Sequence, residues 1–101
     1  MEGCAVVSED GLMNASAFPQ HIDEGRVAGM TSTLLSLGER TAVELERGSL
    51  NQVFVKGNNG YVVAQNAAEG VVLVVLTSKN AKLGLVFLDM RRAIEQFSKI
   101  L

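Results

Sequence analysis

The residue types that most often carry catalysis or bind metal ions are sparse in this 101-residue chain. His21 is the only histidine and has no cysteine nearby, so the spacing of a standard zinc site is missing. Cys4 is the only cysteine, and a small buried hydrophobic residue in a strand is its simplest interpretation. Ser8 and Ser16 lack a histidine base in a recognisable triad pattern. No pair of carboxylates is spaced for acid–base catalysis.

The glycines do not form a phosphate-binding pattern either. Neither GxxxxGK[ST] nor a GxGxxG that joins a strand to a helix occurs. We therefore expect no catalytic residue, no bound metal and no cofactor, and we interpret the chain as a binding or regulatory module rather than an enzyme.

Composition indicates one domain, residues 1–101, in the cytoplasm. Its net charge is −2 and its basic residues are dispersed, which argues against nucleic acid as the main partner. A single cysteine cannot form an intrachain disulfide, as suits a reducing compartment. The longest apolar run, residues 71–76, is far shorter than the roughly 20 residues that span a bilayer.

Hydrophobic spacing and turn residues predict the order strand-strand-helix-strand-strand-strand-helix. Asp10-Gly11 and Asn59-Gly60 are the predicted tips of two hairpins, and Asp23 and Asn80 the predicted helix caps. The predicted strands are 4–8, 12–17, 50–56, 61–65 and 71–77, and the predicted helices run from 24 to about 47 and from 81 to about 100.

The run VVLVVLT at 71–77 has no polar alternation, which predicts a strand covered on both faces in the middle of a sheet. If it pairs with the first strand, the sheet is five-stranded and antiparallel, in the order 2-1-5-4-3. We expect an α/β (α+β) sandwich, with the long helix on one face and the C-terminal helix on the other. The edge strand 50–56 is either blunted by Lys56 and Asn51 or completed by a second copy of the chain.

The long helix carries two apolar stripes. We expect the first to face the sheet, with Gly38 allowing a close approach because it lacks a Cβ atom; its members are Val27, Met30, Leu34, Leu37, Thr41 and Leu45. The second stripe, Ala28, Leu35 and Ala42, has the heptad spacing of a close helix–helix contact. We interpret it as a contact with the same helix of a second copy. The alternative is additional burial within one chain.

A third side of this helix is partly basic, with Arg26, Thr33, Arg40 and Arg47 seven residues apart. Glu44 can pair with Arg40 four residues earlier. This side is either a solvated helix surface with an ordinary ion pair or a candidate surface for a partner protein.

The segments VVSEDGLMNAS, LLSLGERTAVELERG, VFVKGNNGYVVAQ and AKLGLVFLDMRRAIEQ, in this order, resemble the roadblock/dynein light-chain-seven family. The similarity is strongest to its short prokaryotic members, which regulate small Ras-like GTPases. The resemblance implies a homodimer with a continuous sheet. Its interface would comprise Ala28, Leu35, Ala42, Leu50, Gln52, Val53, Phe54 and Val55.

The resemblance also implies the function. We expect a homodimeric regulator or scaffold that binds a small Ras-like GTPase, as an activator of its GTP hydrolysis or as a passive scaffold. Arg26, Arg40 and Arg47 are expected to line a docking surface rather than to act as an arginine finger. One alternative is an adaptor subunit, as in the dynein light-chain branch, with no effect on GTP turnover. Another is a small-molecule sensor. Family members typically carry a helix before the first hairpin, whereas this sequence starts almost at the first strand. It is either a truncated or a natural short form, and for the natural short form we expect an uncovered apolar patch beside the last helix.

Overall fold

The computed structural model describes residues 3–8, 13–68 and 70–100. The predicted turn at Asp10-Gly11 lies outside the described residues. Seven elements follow one another along the chain: β1 (Gly3–Ser8), β2 (Met13–Ala17), α1 (Glu24–Glu44), β3 (Gln52–Gly57), β4 (Gly60–Ala68), β5 (Val71–Ser78) and α2 (Leu83–Ile100).

Strand β5 lies in the interior of the sheet, between β1 and β4, as its apolar sequence predicted. Val72 and Val74 are buried on the face that α1 covers, and Val75 is buried on the face that α2 covers. A strand that is covered on both faces needs no polar side chains, which explains the VVLVVLT run.

The predicted fold class needs a correction. All strand pairs are antiparallel, so the fold is α+β and not α/β. Four strands, in the order β1-β5-β4-β3, form the body of the sheet and pair at six to eight positions each. The expected fifth strand, β2, pairs less extensively than these four. β2 adds a short outer segment with four partner positions on β1 and a register shift between Val6 and Val7.

The two faces of the sheet hold separate apolar clusters, because alternate residues of each strand point to opposite faces. On one face, Ala28 of α1 packs against a cluster that includes Ala64 and Val74. On the other, Val86 and Met90 of α2 pack against Val63 and Val75. Each helix therefore contributes to the core of one face.

The helix boundaries differ from the prediction. Asp23 caps α1, since its Oδ1 accepts the backbone N–H of Arg26 at 3.1 Å, as predicted. However, α1 ends at Glu44, before the predicted Arg47, and the chain reverses where Glu46 takes a φ of 58°. The second predicted cap is wrong: α2 begins at Leu83, which Asn80 does not directly precede.

The hairpin between β3 and β4 turns at Asn58 and Asn59, one residue earlier than predicted, because Gly57 pairs with Gly60. Gly60 has a φ of 154° and lies so close to the carbonyl oxygen of Thr77 that a Cβ atom would overlap it. Only glycine fits here, and this fixes the tip of the hairpin against β5.

Candidate association surface

The orientation of α1 is the main difference from the sequence interpretation. Ala28 and Thr31 are buried against the sheet, with 1% and 4% of their surfaces exposed, and Leu35 packs against the same cluster. Met30 and Leu37, which were expected to face the sheet, are 65% and 60% exposed. The stripe assigned to a second copy therefore faces the sheet, together with Val27 and Gly38, which were expected there, and Ala28 is not free to contact a partner.

The physical reason is size. A helix packs closely on a sheet when its facing residues are small, and α1 has its small residues on this side. The approach is close at Gly38, where a Cβ atom would lie 2.8 Å from Cγ2 of Val53 and 3.1 Å from Cδ2 of Leu50. The predicted close approach at Gly38 is confirmed, and it presses α1 against the start of β3.

Within the part of the chain that the structure describes, strand β3 is an edge of the sheet and pairs only with β4. Asn66 donates its backbone N–H to the carbonyl oxygen of Asn51 at 3.4 Å, which fixes the alternation of the ladder. Residues 53 and 55 then exchange hydrogen bonds with β4, and the N–H and C=O groups of Gln52, Phe54 and Lys56 point away from the sheet. These groups are available to another strand.

An apolar groove of about 480 Å³ lies between α1 and the sheet, next to this edge. Met30, Leu34 and Leu37 of α1 form one wall. Val55, Val62 and Leu76 contribute from the sheet. Met30 and Leu37 form an exposed ridge on α1. We use the term association surface for this ridge together with the groove and the β3 edge, which adjoin one another.

Five of the residues that the sequence assigned to a dimer interface lie at or near the β3 edge. Leu50 lies two residues before β3, and Gln52, Val53, Phe54 and Val55 lie along this strand. Ala42, like Leu35, is half-buried rather than exposed. The sequence interpretation missed Met30 and Leu37 as surface residues. The contrast between large residues in one stripe and small residues in the other was the signal that could have identified them.

The partly basic side of α1 is exposed. Arg40 Nε lies 3.7 Å from Glu44 Oε1, which confirms the predicted pair, but both side chains are mostly in solvent, so the pair stabilises the helix little. Thr33 donates its hydroxyl to the carbonyl oxygen of Gly29. Arg26 lies in the first turn of α1, whereas Arg47 follows the end of the helix.

The described residues include no group of three or more histidine, cysteine or acidic side chains able to hold a metal ion. Among the same residues, no helix is long and apolar enough to cross a membrane.

Comparison with known proteins assigns the chain to a family. The model of the Roadblock/LC7 domain matches residues 1–77. The chain belongs to the Roadblock/LC7 family. An uncharacterised protein of Methanocaldococcus jannaschii is 40% identical to this roadblock domain, over 95% of the chain and 83% of the relative.

Solved roadblock structures have the same fold. MglB of Myxococcus xanthus is 25% identical, with a TM-score of 0.90 over 98% of this chain and 81% of MglB. A Roadblock/LC7 domain of Streptomyces avermitilis also has a TM-score of 0.90, at 21% identity, over 98% of this chain and 83% of its own. The recognition of the roadblock family from four sequence segments is confirmed.

Proposed function

We propose that this roadblock domain forms a homodimer through the association surface. The β3 strands of two copies would pair antiparallel, and the exposed ridges of the two α1 helices would pack together over the shared sheet. The observation that carries the proposal is the adjacency of unpaired backbone groups on β3 to the apolar groove. A single partner can satisfy the hydrogen bonds and cover the groove together.

The exposed apolar side chains are consistent with this arrangement. Val55 lies on the α1 face of β3 and is 46% exposed, while Met30 and Leu37 border the same groove. On the opposite face, the ring of Phe54 lies 6.0 Å from that of Phe87, yet Phe54 is 49% exposed. A second β3 strand would cover both Val55 and Phe54, because the two side chains flank the same edge.

The proposed activity of the dimer is to bind a small Ras-like GTPase and regulate its GTP hydrolysis. Support comes from membership of the Roadblock/LC7 family, from the structural similarity to MglB and from the resemblance to short prokaryotic GTPase regulators. The chain itself is proposed to be non-catalytic. Arg26, Thr33 and Arg40 lie on the exposed side of α1 and would form part of the docking surface.

The experiment uses the small Ras-like GTPases encoded in the same genome, loaded with GTP or GDP, and measures binding and GTP turnover with and without the purified domain. The test variant is Arg26→Ala/Arg40→Ala. The control is Lys79→Ala/Lys82→Ala, which removes the same charge from exposed positions before α2.

We expect binding that prefers one nucleotide state, and we expect the α1 variant to weaken it at least tenfold more than the control does. Binding with unchanged GTP turnover would replace the regulator by an adaptor. Failure of all the GTPases to bind would remove the proposed activity and leave the dimer proposal intact.

A further inference from the structure

Two side chains from different elements hold the backbone of Leu50, just before the edge strand. Glu39 of α1 accepts the N–H of Leu50 through Oε2 at 2.9 Å. Asn66 of β4 donates Nδ2–H to the carbonyl oxygen of Leu50 at 3.0 Å. The backbone N–H of Asn66 also reaches Asn51. We call the Glu39–Leu50–Asn66 group the Leu50 clamp.

The position of the clamp matters because it holds the second half of the loop from 45 to 51, whereas the backbone hydrogen bonds from residues 45–47 to α1 hold only the first half. Leu50 is half-buried, whereas the other residues of the loop from 45 to 51 are all exposed. Two of them, Glu46 and Gly48, have positive φ angles of 58° and 85°. With so little apolar burial in the loop, the hydrogen bonds to Leu50 and its contact at Gly38 determine where β3 begins.

We infer that Glu39 and Asn66 are positioning residues that lock the edge strand to α1, so that β3 and the α1 ridge engage a second copy together. The inference rests on the proposed dimer. The first outward-pointing backbone groups, those of Gln52, follow Leu50 by two residues, so movement of Leu50 displaces them directly. A slip of one residue would also exchange the faces on which Val53 and Phe54 lie.

The expected change in the dimer dissociation constant follows from the fraction of protomers in which β3 is correctly placed for pairing. If the strand holds its competent position in only a fraction f of the protomers, the apparent dissociation constant rises by 1/f for each one. Both copies must be competent, so the factor enters twice. A release of the clamp that lowers f to about one third therefore weakens the dimer about ninefold.

The experiment measures the dimer dissociation constant by sedimentation for full-length variants, at a temperature where circular dichroism shows every variant folded. Glu39→Ala removes the acceptor and leaves a residue that favours helix. Glu39→Gln keeps a side-chain oxygen at the same position. Glu44→Ala is the matched control, because Glu44 is an exposed glutamate of the same helix that pairs with Arg40 instead.

We expect Glu39→Ala and Asn66→Ala each to weaken the dimer about tenfold, and Glu39→Gln and the Glu44→Ala control to stay within about threefold of the wild type. Rescue by glutamine separates positioning from a general loss of stability. If the wild-type protein dimerises and Glu39→Ala has the same dissociation constant, the inference is overturned and the dimer proposal stands. The same holds if Glu39→Gln weakens the dimer as much as Glu39→Ala does. A monomeric wild-type protein overturns it together with the dimer proposal.

Discussion

Truncation of Leu37 on the exposed ridge of α1 gives the clearest energetic test of the association surface. Leu37 is 60% exposed in the single chain. Full burial of a leucine side chain stabilises by about 1.5–3 kcal/mol, so burial of the exposed part contributes about 1 kcal/mol more than alanine would. The contact occurs twice in a symmetric dimer, which gives about 2 kcal/mol, or roughly a thirtyfold weaker dimer for Leu37→Ala.

The matched control is Leu85→Ala, because Leu85 is 58% exposed and lies on α2, the helix that covers the other face of the sheet. Sedimentation equilibrium over a range of concentrations gives both dissociation constants. We expect Leu85→Ala to stay within about threefold of the wild type. Equal weakening by the two truncations, or none by Leu37→Ala, would refute the assignment of the interface to the α1 side.

Three further substitutions test the fold that supports this surface, each by urea unfolding. Gly60→Ala should destabilise the fold by about 2–3 kcal/mol, because Gly60 has a φ of 154° and the new Cβ atom would overlap the Thr77 carbonyl oxygen. Gly70→Ala should cost less, because the space around Gly70 is open. Equal costs for the two substitutions would contradict the steric cause. Met90→Ala should cost about 2–5 kcal/mol, since Met90 is fully buried under α2, and a cost below 1 kcal/mol would contradict that packing. Asp23→Ala should cost about 1 kcal/mol through loss of the α1 cap, and Asp23→Asn, which keeps a capping oxygen, should cost less; identical losses would exclude capping as the cause.

The sequence was sufficient for features that depend on local pattern. The uninterrupted apolar run of β5 placed it inside the sheet, and Asp23 identified the start of α1. Both are set by residues close in sequence: a strand without polar alternation has to be covered, and an exposed N-terminal turn needs an oxygen acceptor. The four segments that carry the family resemblance were also sufficient to identify the family.

The sequence was insufficient where the outcome depends on tertiary packing. Helical periodicity gave two apolar stripes on α1 and could not say which of them faces the sheet. Close packing decided it, because Ala28 and Gly38 let α1 approach the strands, whereas Met30 on the neighbouring stripe is too large for that approach. The register shift between β1 and β2 and the start of α2 at Leu83 were likewise not predicted from the sequence.

Residue-resolved amide hydrogen exchange, measured at low and high protein concentration, tests the paired-edge dimer most directly. In β3 the amides of Val53 and Val55 bond to β4 and serve as an internal reference, whereas those of Phe54 and Lys56 point outward. We expect the exchange of Phe54 and Lys56 to slow as concentration rises and that of Val53 and Val55 to change far less. Outward amides that exchange at the same fast rate at every concentration would contradict the account.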